Sequence, residues 1–326
     1  MAHYFLGVDI GATKSHALIA NEQGVAVGFG QGGAGNHEVV GWNGLRQTLE
    51  EVTMQALSSA GITKNQLAAA GLGVAGYDWP GQHEPTRQAI LALELGVPFE
   101  FVNDSLIGLM AGAKAGWGIV IIAGTSNNCY GRDPAGRQGR VTGCGPWAGE
   151  YGGASEIVRK AVQAVVMAWT RRAPSTCLTD RFIELTGATG VVDLLEGLVM
   201  ERYRLTAQHA PVIFEAAKAG DDVAQEIIRW AGRELGSLAQ GVIRQLDLAP
   251  LAFEVVLAGS IYNSESPLLM ENLQAAVWAA APKAQFVRLH EPPVIGGVLL
   301  AMEQVGLKAV DIRERLRQST KVLLAG

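Results

Sequence analysis

One pattern of residues occurs twice in this chain of 326 residues. Residues 5–30 form an apolar stretch, a turn with glycine, small residues and threonine, a second apolar stretch, a polar turn with glycine, and a third apolar stretch. Residues 118–143 repeat that order. Short apolar runs joined by such turns are typical of antiparallel strands. The repetition therefore predicts two related domains, each built on a β-sheet.

Strand and helix patterns alternate after each copy, which predicts an α/β fold made of a duplicated βββαβα unit. The second copy carries a helical insertion. We expect a small N-terminal domain at 1–116 and a larger C-terminal domain at 117–326, with the last helix packing back on the first domain. The predicted strands are 4–10, 15–20, 25–30, 67–76, 99–104, three within 118–143, 253–260 and 285–289; the predicted helices are 41–61, 84–96, 105–116, 154–171, 178–187, 191–203, 206–219, 221–246, 267–281 and 294–306.

Charge and hydropathy exclude several classes of protein. The net charge is −5 and no run of lysine and arginine occurs, which argues against nucleic acid as a partner. No apolar run reaches the roughly 18 residues of a membrane span, and the N-terminus lacks the basic segment of a signal peptide. The three cysteines show no CxxC spacing, so a zinc site or a disulfide framework is not expected. These features predict a cytoplasmic protein.

The first turn of each copy is a candidate phosphate site. The stretches are "DIGATK" (9–14) and "AGTSNN" (123–128), where glycine and threonine present backbone N–H groups and a hydroxyl. Neither has the spacing of a P-loop or of a dinucleotide-binding fingerprint. Each turn alone could equally be an ordinary β-turn. Two facing copies, however, would let one ATP span a central cleft.

These loops, taken with five further stretches in order along the chain, carry a resemblance to a known family. The stretches are "GGAGNHEV" (32–39), "GLGVAGYD" (71–78), "VNDSLIG" (102–108), "GCGPWAGEYGG" (143–153) and "VLAGS" (256–260). The chain resembles the N-acetylglucosamine kinase and BadF/BadG/BcrA/BcrD ATPase group of the sugar-kinase, heat-shock-protein and actin superfamily. That resemblance implies duplicated ribonuclease H-like domains of the actin and hexokinase type, each a mixed sheet with helices, with a cleft between them.

The resemblance also implies ATP and Mg²⁺ as cofactors. Asp9 would hold Mg²⁺ through water, although an Asp at this position could simply cap a turn. Lys14 could likewise be a solvated lysine at a strand edge. The residues implied for ATP are Gly11, Ala12, Thr13, Lys14, Gly124, Thr125, Ser126, Ala210, Gly259, Ser260 and Ser264.

Asp104 is the implied catalytic base, which takes the proton from the attacking sugar hydroxyl. It follows a predicted strand and precedes a predicted helix, where the helix N-terminus favours an ionised carboxylate. The residues alone leave open that Asp104 is only the N-cap of helix 105–116.

On the sugar side the resemblance implies Asn36, Gly76, Asn128, Gly145 and Glu150. The expected reaction is phosphorylation of an amino sugar or hexose, foremost N-acetylglucosamine or glucosamine to its 6-phosphate. The chain departs from the family pattern in this pocket, and we expect Trp147 to replace a missing aromatic surface. The departures are Ala75, Cys144, Glu150, Tyr151 and Gly153.

Two other functions remain open. The family includes ATP-driven activators of 2-hydroxyacyl-CoA dehydratases and benzoyl-CoA reductases, which share an iron–sulfur cluster between subunits. Cys129, just after the second loop, is expected to face the cleft, but Cys144 and Cys177 show no pairing signature. A sugar sensor without turnover is the second alternative. Helices 191–203 and 221–246 carry apolar faces that predict either a homodimer interface or a domain core.

Overall fold

The structure is a computed structural model that describes residues 3–307 and 309–325. Within those residues it contains two sheets surrounded by helices. The strands are β1 (Tyr4–Ile10), β2 (Ser15–Asn21), β3 (Ala26–Gly32), β4 (Leu67–Val74), β5 (Phe99–Val102), β6 (Gly118–Ala123), β7 (Asn127–Arg132), β8 (Gln138–Arg140), β9 (Glu254–Ala258) and β10 (Gln285–Arg288). The helices are α1 (His37–Ala60), α2 (His83–Leu91), α3 (Asp104–Gly112), α4 (Ala154–Trp169), α5 (Leu178–Thr186), α6 (Val191–Val199), α7 (Ala210–Lys218), α8 (Asp222–Gln245), α9 (Pro267–Ala280), α10 (Val294–Glu303) and α11 (Ala309–Ala325).

The two sheets have the same topology, which confirms the predicted duplication. Their strand orders are β3-β2-β1-β4-β5 and β8-β7-β6-β9-β10. In each, three antiparallel strands are followed by two strands that pair in parallel. We call the sheet of β1–β5 with its helices the first lobe, and the sheet of β6–β10 with its helices the second lobe. The central strands β1, β2, β4 and β6 are buried along most of their length, as expected of a sheet covered on both faces.

Two helices join the lobes by packing on each other. α3 follows a strand of the first sheet but packs on β6, β7 and β9 of the second sheet. α10 follows the last strand of the second sheet and packs on β1 and β4 of the first. At their crossing, Gly296 lies so close to the Ile107 carbonyl that a Cβ would not fit. The first residue of α3, Asp104, is therefore placed where the two lobes meet.

The structure differs from the sequence prediction at several helices, among them α2, α3 and α6, which end four or five residues before the predicted 96, 116 and 203. α1 begins four residues early, at His37, and its backbone leaves helical values at Gly41 (φ 69°). α7 begins at Ala210, because the preceding residues 207–209 form a separate 3₁₀ turn. α11 was not predicted; Leu316 and Thr320 on it are fully buried.

Candidate active site

The first hairpin loop, residues 11–14, connects β1 to β2. Ala12, Thr13 and Lys14 are exposed, while the carbonyl of Gly11 accepts hydrogen bonds from the backbone N–H groups of Gly35 (3.0 Å) and Asn36 (3.3 Å). The loop is thus tied to the start of α1 and leaves its outer residues open to a ligand.

The second loop, residues 124–126, connects β6 to β7 and is tied to a different element. The carbonyls of Gly124 and Thr125 accept from the N–H groups of Ala154 (2.9 Å) and Ser155 (3.0 Å), at the start of α4. A Cβ on Gly153 would lie 2.7 Å from the Ser126 backbone, so loop and helix are in direct contact. The N–H groups at the start of α4 are thus used by the loop itself, and the exposed Thr125 and Ser126 are the part of the loop that is open to a ligand.

Asp9 and Asp104 are neighbours across the end of β4. Asp9 lies opposite Gly73 in the parallel pairing of β1 with β4, and a Cβ on Gly73 would lie 3.1 Å from the Cα of Asp104. Burial, then repulsion from Asp104, raises the pKa of Asp9 from 3.8 to about 7, although Lys14 opposes this. Burial, then repulsion from Asp78, raises the pKa of Asp104 from 3.8 to about 7. The cleft therefore concentrates negative charge.

Asn103, not Asp104, caps α3. The Asn103 Oδ1 accepts from the Ser105 N–H at 2.9 Å, and Asp104 is the first helical residue. The alternative that Asp104 is the N-cap of this helix is therefore wrong.

The carboxylates fit a magnesium ion of the kind held mainly by phosphate and water. Within the described residues, no group of three or more His, Cys, Asp or Glu side chains could hold a metal alone. Mg²⁺ usually takes one or two carboxylates and completes its shell with water and substrate phosphates. Asp9, whose side chain is 15% exposed beside the first loop, offers such a ligand. A cation there would also relieve the repulsion between Asp9 and Asp104.

Asn36 and Gly76 lie together beside the first loop. The Asn36 Oδ1 caps α1 by accepting from the Glu38 N–H at 2.8 Å. Gly76 has a left-handed backbone (φ 81°), and a Cβ on it would collide with this same oxygen. The loop that follows β4 can therefore approach the side chain of Asn36 closely only because position 76 is glycine.

Glu150 holds the 142–145 loop in place. Its buried carboxylate accepts from the N–H groups of Thr142 (2.6 Å) and Gly145 (3.2 Å). The Asn128 Nδ2 lies 3.6 Å from where a Cβ of Gly143 would be, so Asn128 borders the same loop. The predicted sugar-side residues of the second lobe, Asn128, Gly145 and Glu150, thus lie around one loop.

The structure overturns two expectations about this segment. Trp147 is 89% exposed, so it does not rebuild an aromatic wall. Cys129 is fully buried in the core of the second lobe and does not face the cleft. Side chains alternate along a strand, and on β7 it is Tyr130 that points toward the first lobe. Of the remaining departures, Cys144 is exposed, and the Tyr151 hydroxyl donates to the Pro146 carbonyl at 3.3 Å.

The residues predicted to line the nucleoside separate into two groups. Gly259, Ser260 and Ser264 are exposed, and Gly259 (φ 107°) contacts the Ala123 carbonyl just before the second loop. Ala210 is only 2% exposed, in the core of the second lobe. Sequence reasoning missed Arg288, whose guanidinium donates to the Gly259 carbonyl at 2.8 Å. The structure therefore supports this loop as a nucleotide contact more than Ala210.

A second missed group lines a cavity of about 600 Å³ formed by residues of both lobes. Asp78 and Trp79 come from the first lobe, and Tyr130 and Arg140 from the second. The signal for Asp78 was present in the sequence: it follows β4 as Asp104 follows β5, and adjacent parallel strands end at the same edge of a sheet.

Comparison with known proteins identifies relatives over nearly the whole chain. Residues 6–301 match the BadF/BadG/BcrA/BcrD ATPase family. The chain is 24% identical over 303 residues to the N-acetylmuramic acid/N-acetylglucosamine kinase of Clostridium acetobutylicum, covering 92% of this chain and 99% of the relative. It is 26% identical over 312 residues to the N-acetyl-D-glucosamine kinase of Dictyostelium discoideum, covering 91% and 97%.

Solved structures confirm the fold predicted from the sequence. A glucokinase of the ROK family from Streptomyces griseus, in complex with glucose and AMPPNP, superposes with a TM-score of 0.55 at 20% identity, covering 92% of this chain and 99% of that one. The two mixed sheets with helices therefore form the two-domain architecture shared by actin and the hexokinases. In the described residues, no helix is both long and apolar enough to cross a membrane.

Proposed function

Since this chain belongs to the BadF/BadG/BcrA/BcrD ATPase family, we propose that it is a kinase that transfers the γ-phosphoryl group of ATP to a sugar. The acceptor is an amino sugar or a hexose, foremost N-acetylglucosamine or glucosamine, and the product is the 6-phosphate. The two curated relatives, named for N-acetylglucosamine and N-acetylmuramic acid, support this class of acceptor.

The observation that carries the proposal is the position of Asp104. It begins α3 where the lobes meet, its helix is capped by another residue, and a raised pKa near 7 suits a proton acceptor at neutral pH. A sensor would not need an ionisable group at this place.

In the proposed reaction, Asp104 accepts the proton of the sugar's primary hydroxyl as that oxygen attacks the γ-phosphorus. A new bond forms between the sugar oxygen and phosphorus, and the bond from phosphorus to the β–γ bridging oxygen breaks, which leaves ADP. Most of the rate enhancement in phosphoryl transfer comes from positioning and from neutralising charge. The N–H groups and hydroxyls of the two loops, around Thr13 and Thr125, would supply these contacts.

Asp9 would hold Mg²⁺ near the phosphates, with the rest of the metal's shell coming from water and phosphate oxygens. The metal, when bound, would neutralise charge on the β- and γ-phosphates. Lys14, which lies close enough to lower the pKa of Asp9, adds positive charge beside the same loop. Gly259, Ser260 and Ser264 would contact the nucleoside, and Ala210 remains a weaker candidate because it is buried.

The sugar would lie between Asn36 on the first lobe and the 142–150 segment on the second. Asn36 and Asn128 provide amide groups that both donate and accept hydrogen bonds. Gly76 and Gly145 let the backbone approach the sugar closely. Because the Glu150 carboxylate already holds the 142–145 loop, its contribution to sugar binding is to shape that loop.

The deciding experiment measures ADP release from ATP and Mg²⁺ with a panel of acceptors: N-acetylglucosamine, glucosamine, glucose, N-acetylmannosamine and N-acetylmuramic acid. Asp104→Asn is assayed beside the wild type. The matched control is Asp222→Asn, because Asp222 is also the first residue of a helix, α8, but is exposed and outside the cleft.

Turnover stimulated by one sugar, lost at least about 100-fold in Asp104→Asn and kept in Asp222→Asn, would support the kinase and name its acceptor. ATP binding without stimulation by any sugar would favour a sensor. Sugar-independent ATP hydrolysis in a brown, oxygen-sensitive protein would favour the activator of an acyl-CoA dehydratase or reductase.

The homodimer and the cytoplasmic location stay predictions. The apolar face of α8 packs on α9 inside the second lobe, whereas α6 exposes Val192 (62%) and Val199 (79%). Of the two helices, α6 is therefore the better candidate for a dimer interface, which sedimentation analysis would test.

A further inference from the structure

Asp78 joins the two lobes through a single carboxylate oxygen. Its Oδ1 accepts hydrogen bonds from the Tyr130 hydroxyl of β7 at 2.7 Å and from the Asn103 Nδ2 at 3.1 Å. The Arg140 guanidinium of β8 lies 3.9 Å from the same atom and stacks over the Trp79 ring at 4.5 Å. Residues that follow β4 and β5 are thereby connected to two strands of the second sheet.

Asn103 connects Asp78 to the first turn of α3, which carries Asp104. Its Nδ2 is held by Asp78 and by the Tyr77 carbonyl (3.2 Å), which fixes the orientation of the amide plane. With that orientation, its Oδ1 points at the Ser105 N–H and caps α3. Asp104 lies between these two residues, so a rotation of the Asn103 side chain would alter the first turn that carries Asp104.

We propose that Asp78 is a positioning residue: it links Tyr130 of the second lobe to Asn103 of the first, and so orients Asp104 for proton transfer only when the two lobes are correctly placed. The inference rests on the proposed role of Asp104 as the base. If so, the position of Asp104 in the first lobe depends on the position of the second lobe, which carries Tyr130.

The chemistry of the cluster favours this role. Burial and Asp78 raise the pKa of the Tyr130 phenol above its usual value, so its hydroxyl stays protonated and donates. A hydrogen bond to an ionised acceptor is stronger than one between neutral groups. The charged groups facing Asp104 are Asp9 and Asp78, with Lys14 beside Asp9; Arg140 faces Asp78.

The test compares Tyr130→Phe and Asp78→Ala with the wild type, by steady-state kinetics with ATP and the sugar that the panel identifies, and by calorimetric binding of both ligands. The matched control is Tyr203→Phe. Tyr203 donates to Asp193 at 3.0 Å, and Arg202 donates to the same carboxylate, but this cluster lies on α6 and the segment after it.

We expect kcat to fall about 100-fold in Asp78→Ala and about tenfold in Tyr130→Phe, because a small misplacement of the base costs rate rather than affinity. Both KM values and both dissociation constants should stay within about twofold of the wild type. The double variant should be no slower than Asp78→Ala, since Tyr130 acts through Asp78. Tyr203→Phe should lower stability alone and keep kcat.

Several results would overturn the inference. If Tyr130→Phe behaves like Tyr203→Phe, with kcat unchanged, the link has no positioning role, and this conservative variant decides the question even if Asp78→Ala does not fold. Additive losses in the double variant would show that Tyr130 does not act through Asp78. If Asp104→Asn itself keeps full activity, the proposed function fails instead, and the two failures are thus distinguishable.

Discussion

The two hairpin loops occupy the same place in two copies of one sheet, yet only the first carries a carboxylate. Asp9 precedes Gly11 by two residues, and the residue two before Gly124 is Ile122. In the pairing of the adjacent strands, Asp9 lies opposite His16 and Ile122 opposite Asn128. The first loop is tied to α1 through Gly11, and the second to the N-terminus of α4 through Gly124.

The two copies share the backbone path of the turn but differ in the groups that a ligand would contact. Both copies retain the glycine and threonine of the turn, which determine the backbone path. The charge that a metal would need lies in the first copy, whereas the second copy has an uncharged loop held against the start of α4. One bound nucleotide would therefore make different contacts with each loop.

The largest expected effect tests this division directly. Asp9→Asn should lower kcat by about 100- to 1,000-fold and raise the Mg²⁺ concentration needed for half-maximal rate, because it removes the proposed metal ligand. The control is Ile122→Val, at the position in the second copy that matches Asp9. This change removes one methylene and should affect only stability. Kinetics over a range of Mg²⁺ concentrations would measure both. Equal losses in the two variants would contradict the division.

An intermediate effect is expected at the equivalent glycines. A Cβ on Gly11 would lie 2.5 Å from the Lys14 carbonyl oxygen, whereas a Cβ on Gly124 meets nothing within 4 Å. Gly11→Ala should therefore lower the free energy of unfolding by about 1–3 kcal/mol. Gly124→Ala should change it by less than about 0.5 kcal/mol.

The same Gly124→Ala variant should raise the KM for ATP about tenfold, because the added methyl would enter space reserved for a phosphate. Denaturant titration and ATP kinetics measure the two properties separately. An unchanged KM would show that the open space at Gly124 is not used by the nucleotide.

The remaining expected effect concerns pH. Because the folded protein raises the pKa of Asp9 and Asp104 from 3.8 to about 7, it binds more protons than the unfolded chain between these values. The free energy of unfolding should therefore fall as the pH rises from about 4 to about 7. In metal-free protein at pH 8, Asp9→Asn should raise it by about 1–3 kcal/mol, and the gain should largely disappear near pH 4.

Denaturant titrations at several pH values would measure this, with Asp222→Asn as the control for an exposed carboxylate. The second loop contributes no such group, so this pH dependence belongs to Asp9 and Asp104 of the first lobe. A gain of the same size at pH 4 and pH 8 would mean that the charge pair is not its cause.

The elements of both copies were predictable because their signals are local. Apolar runs bounded by glycine turns placed β1 at the bounds that the structure shows and the three strands β6–β8 within 118–143. The order of the motifs, rather than any single one, indicated the family. Asp104 could be singled out because it lies where a strand gives way to a helix.

Other features depended on distant parts of the chain. Cys129 lies close after the second loop in sequence, and Ala210 was assigned to the nucleotide site, but both side chains lie in the core of the second lobe. The face of the strand or helix on which a residue lies determines the direction of its side chain. α11 packs on β3 of the first lobe, where Ser319 accepts a hydrogen bond from the Ala26 N–H at 2.9 Å. No local pattern reveals such a contact.

Periodicity and turn residues in the sequence were sufficient to establish the duplicated sheets, the two loops and the place of Asp104 along the chain, because hydrogen bonding within a strand or turn involves near neighbours. The folded arrangement determined which carboxylates repel each other, which asparagine caps α3, and how Asp78 joins Tyr130 to Asn103. The two hydrogen bonds to Asp78 span 25 and 52 positions, and they form only when the fold brings the ends of β4 and β5 against β7.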